Sequence, residues 1–134
     1  MARQALLSRV PIPEAQIHPL RSAAIGLPDE FDLILLGLGP DGHCASLFPG
    51  DAALEATEPI ARVERPGLPP HHPRLTFTYP VLNGAAAAAF LVGGREKREL
   101  VRRVLAGDEA LPAARVRTRE TVVLVDEEAD PRRR

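Results

Sequence analysis

Short apolar runs punctuate this chain, and each is closed by residues that end regular structure. Leu33 to Leu36 is continuously apolar and has the length of a buried strand, so it predicts the central strand of a sheet. Gly37, Gly39, Pro40, Asp41 and Gly42 follow at once and read as a sharp turn. Ile60 to Val63 predicts a second strand. Leu75, Phe77 and Tyr79 alternate with Thr76 and Thr78, the period of a third. Ala85 to Val92 fits two templates: its alanines favour helix, whereas Phe90-Leu-Val92 before Gly93-Gly94 favours a buried strand. Val122 to Val125 predicts a last buried strand.

Helical spacing is clearest over Arg95 to Leu105, where Leu100, Val101, Val104 and Leu105 are apolar and charges lie elsewhere. Gly107 ends that helix. Ala2 to Arg9 reads as a short helix with Leu6 and Leu7 on its buried side, and Cys44 to Phe48 has room for one helical turn before Pro49-Gly50 stops it. Pro11, Pro13 and Pro19 make Val10 to Leu20 an extended connection, and Pro66 to Pro73 is a rigid proline loop. Strands alternating with helices imply a largely parallel sheet. The chain opens with a helix and offers about four or five strands, so it predicts part of a doubly wound α/β domain over residues 1–130, with a frayed tail at 131–134.

Composition narrows the function classes. The chain has 134 residues, enough for one domain with a core. Its 17 basic and 18 acidic residues nearly cancel, which argues against nucleic-acid or anionic-membrane partners. No apolar run has the length of a membrane span, and no signal layout opens the chain. Cys44 is the single cysteine, which excludes an intrachain disulfide and fits a reducing cytoplasm.

Candidate chemistry concentrates after Leu36. The turn delivers His43 just beyond the carboxyl end of a strand, where open α/β sheets bind ligands. A histidine held there suits proton transfer near neutral pH, and Asp41 can orient it or stabilise its charge. Gly37-Leu-Gly-Pro-Asp-Gly42 also matches the dinucleotide fingerprint G-x-G-x-x-G. That reading needs a continuous helix after the last glycine, and Pro49-Gly50 intervenes. Cys44 reads better as a small core residue than as a nucleophile. His71 and His72 lack the spaced partners of a metal site and read as solvated loop residues, as does His18. Arg74, at the start of a strand, is either a surface charge or a guanidinium for an anionic substrate. Lys97 stands apart from the other charges of its helix because it lies in the first turn, near the strand ends.

Leu36-Gly-Leu-Gly-Pro-Asp-Gly-His-Cys-Ala-Ser-Leu-Phe-Pro-Gly50 resembles the signature of the 6-phosphogluconolactonases. Leu6-Leu-Ser-Arg-Val-Pro-Ile-Pro13 with His18, Pro73-Arg-Leu-Thr-Phe-Thr78 with Pro80-Val-Leu-Asn83, Gly93-Gly-Arg-Glu-Lys97, and Leu111-Pro-Ala-Ala-Arg-Val116 with the closing strand resemble the same family in the same order. Glucosamine-6-phosphate deaminases share the Asp-Gly-His core, but Ser46-Leu-Phe-Pro-Gly50 favours the lactonase.

The resemblance implies hydrolysis of 6-phospho-D-glucono-1,5-lactone to 6-phosphogluconate in the pentose phosphate pathway, in the cytoplasm and without metal or organic cofactor. His43 matches the family's catalytic histidine. Asp41 would orient it or a sugar hydroxyl. Backbone N–H groups from Gly39 to His43, Gly39 and Gly42 included, would face the developing oxyanion. Arg74 would take the substrate phosphate. Cys44 stands where threonine is common. The resemblance also implies a longer protein, whose further N-terminal βα segment carries a phosphate loop. The chain is therefore expected to be the C-terminal portion of a lactonase with impaired activity alone. It would be a split-enzyme half needing a partner or a non-catalytic fragment, with self-association through an exposed sheet edge a hazard.

Overall fold

The computed structural model describes residues 2–20, 26–67, 69 and 71–133. Among the described residues five strands form, as the apolar runs predict, but they divide between two sheets. Strands β1 (Leu33–Leu36), β4 (Ala87–Val92) and β5 (Glu120–Val125) make a parallel sheet in the order β1-β4-β5. Strands β2 (Ile60–Val63) and β3 (Arg74–Phe77) make a separate antiparallel pair.

β1 is therefore an edge strand and not the central one. Leu33 and Leu35 are 54% and 61% exposed, while Ile34 and Leu36 turn towards the core. Strand alternation sends successive side chains to opposite faces, and among the described residues only one face of this sheet is covered. β5 departs from expectation for the same reason: Val122 and Leu124 are exposed, and Val123 and Val125 pack inward. The centre belongs to β4, whose helix-favouring alanines yield to pairing on both sides. Leu35, Ala89 and Val122 lie side by side across the three strands. Tertiary context overrides local propensity here.

The core lies beneath the inner face, where Leu36, Ala88, Phe90 and Val92 meet Leu47, Phe48, Leu82 and Val101. Val101 comes from α3 (Arg98–Leu105), which a 3₁₀ turn, Arg95–Lys97, introduces. Gly107, at φ +75°, ends α3 as its left-handed conformation predicts. The N-terminal helix is shorter than expected: α1 spans Ala2–Ala5, a 3₁₀ turn covers Leu7–Arg9, and Leu6 is exposed. A helix α2 (Tyr79–Gly84) begins where strand alternation was expected to continue through Tyr79. Pro80 is preset for a first helical turn and cannot extend a ladder.

β3 inverts the usual pattern, since Thr76 and Thr78 are buried and Leu75 and Phe77 are not fully so. Both hydroxyls are satisfied, as burial requires. Thr78 donates to the Glu58 and Pro59 carbonyls, and Thr76 Oγ1 accepts from Ser46 N at 3.0 Å. At the C-terminus, Arg132 and Arg133 pair with Asp130 and Glu127. No helix among the described residues is long and apolar enough to cross a membrane.

Candidate functional site

Residues 39–43 form a turn with a mechanism written into their order. Gly42 N donates to Gly39 O at 3.1 Å, which closes a β-turn with Pro40 and Asp41 at its centre. Gly39 N donates back to His43 O at 2.8 Å. Asp41 Oδ1 accepts from His43 N at 3.1 Å, the local side-chain bond that favours Asp in turns. The same oxygen lies 2.5 Å from His43 Nδ1. An ionised carboxylate only accepts, so this contact places the ring proton on Nδ1 and leaves Nε2 as the basic nitrogen.

Three further contacts hold the imidazole. A Cβ added to Gly39 would sit 2.0 Å from His43 Nδ1, so the ring occupies the space that any other residue's side chain would need. The Phe48 ring lies 4.3 Å from the imidazole centroid, tilted by 37°. Gly42 O accepts from Ala113 N at 3.0 Å, which fastens the turn to the 3₁₀ segment Pro112–Arg115. Tyr79 also reaches that segment, donating to Pro112 O at 2.9 Å under the Arg115 guanidinium. His43 remains 19% exposed at its side chain, as a proton-transfer group at a strand end should be.

The backbone N–H groups expected to face an oxyanion already have partners at three positions. The N–H groups of Gly39, Gly42 and His43 are all used within the turn. Gly39 and Gly42 also allow close approach: Gly39 under the ring, and Gly42 at φ +82° against Leu111. The helical turn expected over Cys44–Phe48 is likewise absent. Ala45 adopts φ +49°, and Cys44 and Leu47 face each other in an isolated antiparallel bridge. The glycine-rich stretch thus has no helix behind it to hold a pyrophosphate. Cys44 is buried, and burial pushes its thiol up to about 12, which suits a core residue and not a nucleophile.

Arg74 opens β3 and lies opposite Val63. By strand alternation it shares a face with Thr76, whose hydroxyl touches Ser46 three residues beyond His43. Phe77, at the other end of β3, joins Leu35, Leu36, Leu82 and His43 in lining a groove of about 490 Å³. Lys97 is the residue whose role the sequence shows least: its Nζ donates to Leu38 O at 2.9 Å and ties the start of the α3 region to the turn. His71 does not join His43; its Nδ1 is 2.7 Å from Pro66 O. Leu68 and Pro70 of the proline loop lie outside the described residues.

A sequence model of the family described as glucosamine-6-phosphate isomerases/6-phosphogluconolactonase matches residues 1–125. The chain belongs to this family. It is 37% identical over 154 aligned residues to a 6-phosphogluconolactonase of Synechocystis, covering 96% of this chain and 63% of that protein. It is 37% identical to the human 6-phosphogluconolactonase, covering 85% of this chain and 52% of the other. A crystal structure of 6-phosphogluconolactonase from Thermotoga maritima superposes with a TM-score of 0.78 at 33% identity, over 92% of this chain and 62% of that one. A monomeric glucosamine-6-phosphate deaminase reaches a TM-score of 0.61 at 25% identity. The chain therefore spans between about half and two thirds of the length of these lactonase relatives. Its partial, mostly parallel α/β sheet is the family fold seen in part.

Proposed function

We propose that this chain carries the catalytic turn of a cytoplasmic 6-phosphogluconolactonase, which hydrolyses 6-phospho-D-glucono-1,5-lactone to 6-phosphogluconate. The observation that carries the reading is the Asp41–His43 pair, 2.5 Å apart at the carboxyl end of β1, in a chain of this family. Nε2 takes a proton from water as the water oxygen bonds to the lactone carbonyl carbon. The carbonyl oxygen gains the negative charge of the tetrahedral intermediate. When that charge re-forms the carbonyl, the bond from carbon to ring oxygen breaks, and Nε2 returns its proton to the departing oxygen. Asp41 stabilises the transient imidazolium and holds its ring in register. Arg74 is the residue proposed for the phosphate, as a cation on the face of β3 that also carries Thr76.

The bare sheet face and the partial coverage of the relatives favour low activity in this chain alone. The test is a continuous lactone-hydrolysis assay with the spontaneous rate subtracted. It uses the chain co-expressed with the portion of the Synechocystis lactonase outside the matched 63%. His43→Ala should lower turnover by about 100-fold or more, the scale of a general base. Near-normal turnover in that variant would mean another group activates the water.

A further inference from the structure

A continuous file of hydrogen bonds braces the His43 turn from behind. Tyr79 opens α2 and donates its phenol proton to Pro112 O at 2.9 Å. Pro112 O and Ala113 N–H belong to one planar peptide unit. The N–H of that unit donates to Gly42 O at 3.0 Å. Gly42 O and His43 N–H share the next peptide unit, whose N–H donates to Asp41 Oδ1 at 3.1 Å. The same carboxylate oxygen faces His43 Nδ1 at 2.5 Å. Each peptide thus accepts at its oxygen and donates at its nitrogen, so the bonds polarise one another in the same sense. A tilt of either plane disturbs both of its bonds at once.

The phenol that starts this file is held in place. The Arg115 guanidinium lies 4.7 Å from the centroid of the Tyr79 ring and is itself tied to Glu55 Oε1 at 3.2 Å. Burial, with Cys44 nearby, pushes the phenol above its ordinary value against the pull of Arg115, so it remains a donor at neutral pH. Its bond to Pro112 O is partly buried, where water competes less. Asn83, one turn further along α2, grips the far end of the same segment. Its Nδ2 donates to Arg115 O at 3.2 Å and its Oδ1 accepts from Arg117 N at 2.9 Å. Those two bonds are exposed and involve peptides other than the one that meets Gly42. α2 therefore holds the Pro112–Arg115 segment at both ends, and the Tyr79 end is the one that continues into the His43 turn.

We propose that Tyr79 is a positioning residue: through the Pro112–Ala113 and Gly42–His43 peptides, its hydroxyl sets the orientation of Asp41 and His43 for proton transfer. It acts through the turn and not on the substrate. Its effect on turnover rests on the role proposed above for His43; its effect on the His43 ring does not.

Tyr79 is the single tyrosine of the chain, so uniform incorporation of 3-fluorotyrosine alters this position alone. Tyr79→Phe keeps the ring under Arg115 and removes the donor. In the isolated chain, with its fold checked by circular dichroism, Tyr79→Phe should move the Ala113 and His43 amide protons upfield. Their exchange should speed by about tenfold, the scale of one lost hydrogen bond. The ¹⁵N signals of the His43 ring should move with them. 3-Fluorotyrosine is a stronger donor of nearly the same shape and should shift the amide protons the other way. Asn83→Ala is the control for general loosening: it should lower the urea midpoint and leave the His43 ring signals in place. In the co-expressed lactone assay, Tyr79→Phe should lower kcat by about tenfold with KM within about twofold of wild type. Ring signals unchanged in Tyr79→Phe, or moved as far by Asn83→Ala, would overturn the proposal. So would moved signals with a normal kcat. If Tyr79→Phe unfolds, 3-fluorotyrosine decides: unmoved His43 signals overturn the proposal, and shifted ones support it. The stated spectral shifts in a protein whose wild type hydrolyses no lactone would defeat the reading of His43 as general base and leave the linkage from Tyr79 standing.

Discussion

Gly39→Ala is the sharpest test of how the turn positions its histidine. The new Cβ would lie 2.0 Å from His43 Nδ1, 2.1 Å from Cε1 and 2.7 Å from Cγ. Carbon and nitrogen in contact need about 3.5 Å, so the imidazole has to move by more than an ångström. Phe48 stands 4.3 Å from its centroid and is itself buried, which limits retreat in that direction. The ring must swing away and give up its contact with Asp41 Oδ1. Gly39 is not among the residues with positive φ, so the backbone tolerates alanine and the damage is steric. Losing a hydrogen bond to a charged group costs about 1.5–3 kcal/mol, so the fold should survive. A displaced general base should lower kcat by about 100-fold or more, because proton transfer depends on sub-ångström placement. Two measurements check this: kcat in the complemented chain, and ¹⁵N spectra of the His43 ring in the chain alone. Wild-type spectra should show the proton on Nδ1; Gly39→Ala should mix the tautomers. Turnover within about threefold of wild type, with the ring signals unchanged, would refute the close packing of His43 on Gly39.

Gly42→Ala should destabilise by about 1–2 kcal/mol from its left-handed backbone. A further cost should follow because the Cβ would meet Leu111 Cδ2 at 2.6 Å, and an unchanged urea midpoint would contradict both. Arg74→Ala should raise KM for the lactone by about 10-fold to 100-fold with a smaller change in kcat, the range expected for one charge-assisted contact to phosphate. An unchanged KM would return Arg74 to the status of a surface charge. Asp126 accepts from Ala129 N at 2.8 Å and Gly94 N at 2.9 Å, and these bonds hold its carboxyl below the usual 3.8. A depressed carboxylate stabilises the fold above its unfolded value and loses that contribution as pH falls through the lower folded value. Asp126→Asn should therefore flatten the fall in urea midpoint below about pH 4, and a decline identical to wild type would dismiss the effect.

The site was more legible than the sheet, and the reason is range. Pro40, Asp41 and Gly42 specify a turn through contacts no more than a few residues apart, and the structure realises them within residues 39–43. The partners that pin the turn from outside come from far along the chain. Lys97 reaches Leu38 O across 59 residues, and Ala113 N reaches Gly42 O. No periodicity marks either one. Phe48 is nearer, but an aromatic five positions after a histidine follows no helical or strand rule, so its ring contact had no signal. Thr76 misled in the opposite sense. As a polar position on an alternating strand it reads as solvent-facing, and its burial is met by accepting from Ser46 N and donating to Phe77 O.

The edge position of β1 shows what an apolar run can and cannot encode. Leu33 to Leu36 has no polar residue on either face, which is the pattern of a strand buried on both sides. The sequence thus describes the environment in which β1 is stable, not the neighbours present in this chain. Here one face meets Phe90 and the core, while Leu33 and Leu35 meet solvent. The same contradiction recurs in β5, where Val122 and Leu124 are as apolar as their inward neighbours Val123 and Val125. If solvent were the working environment of this face, alternation with polar residues would give equal pairing at lower risk of association. Leu91, Val122 and Leu124 keep apolar side chains across two further strands, so the mismatch belongs to the whole face and not to one residue. The face written for burial thus lies beside the turn whose Asp41–His43 pair sits at the carboxyl end of β1.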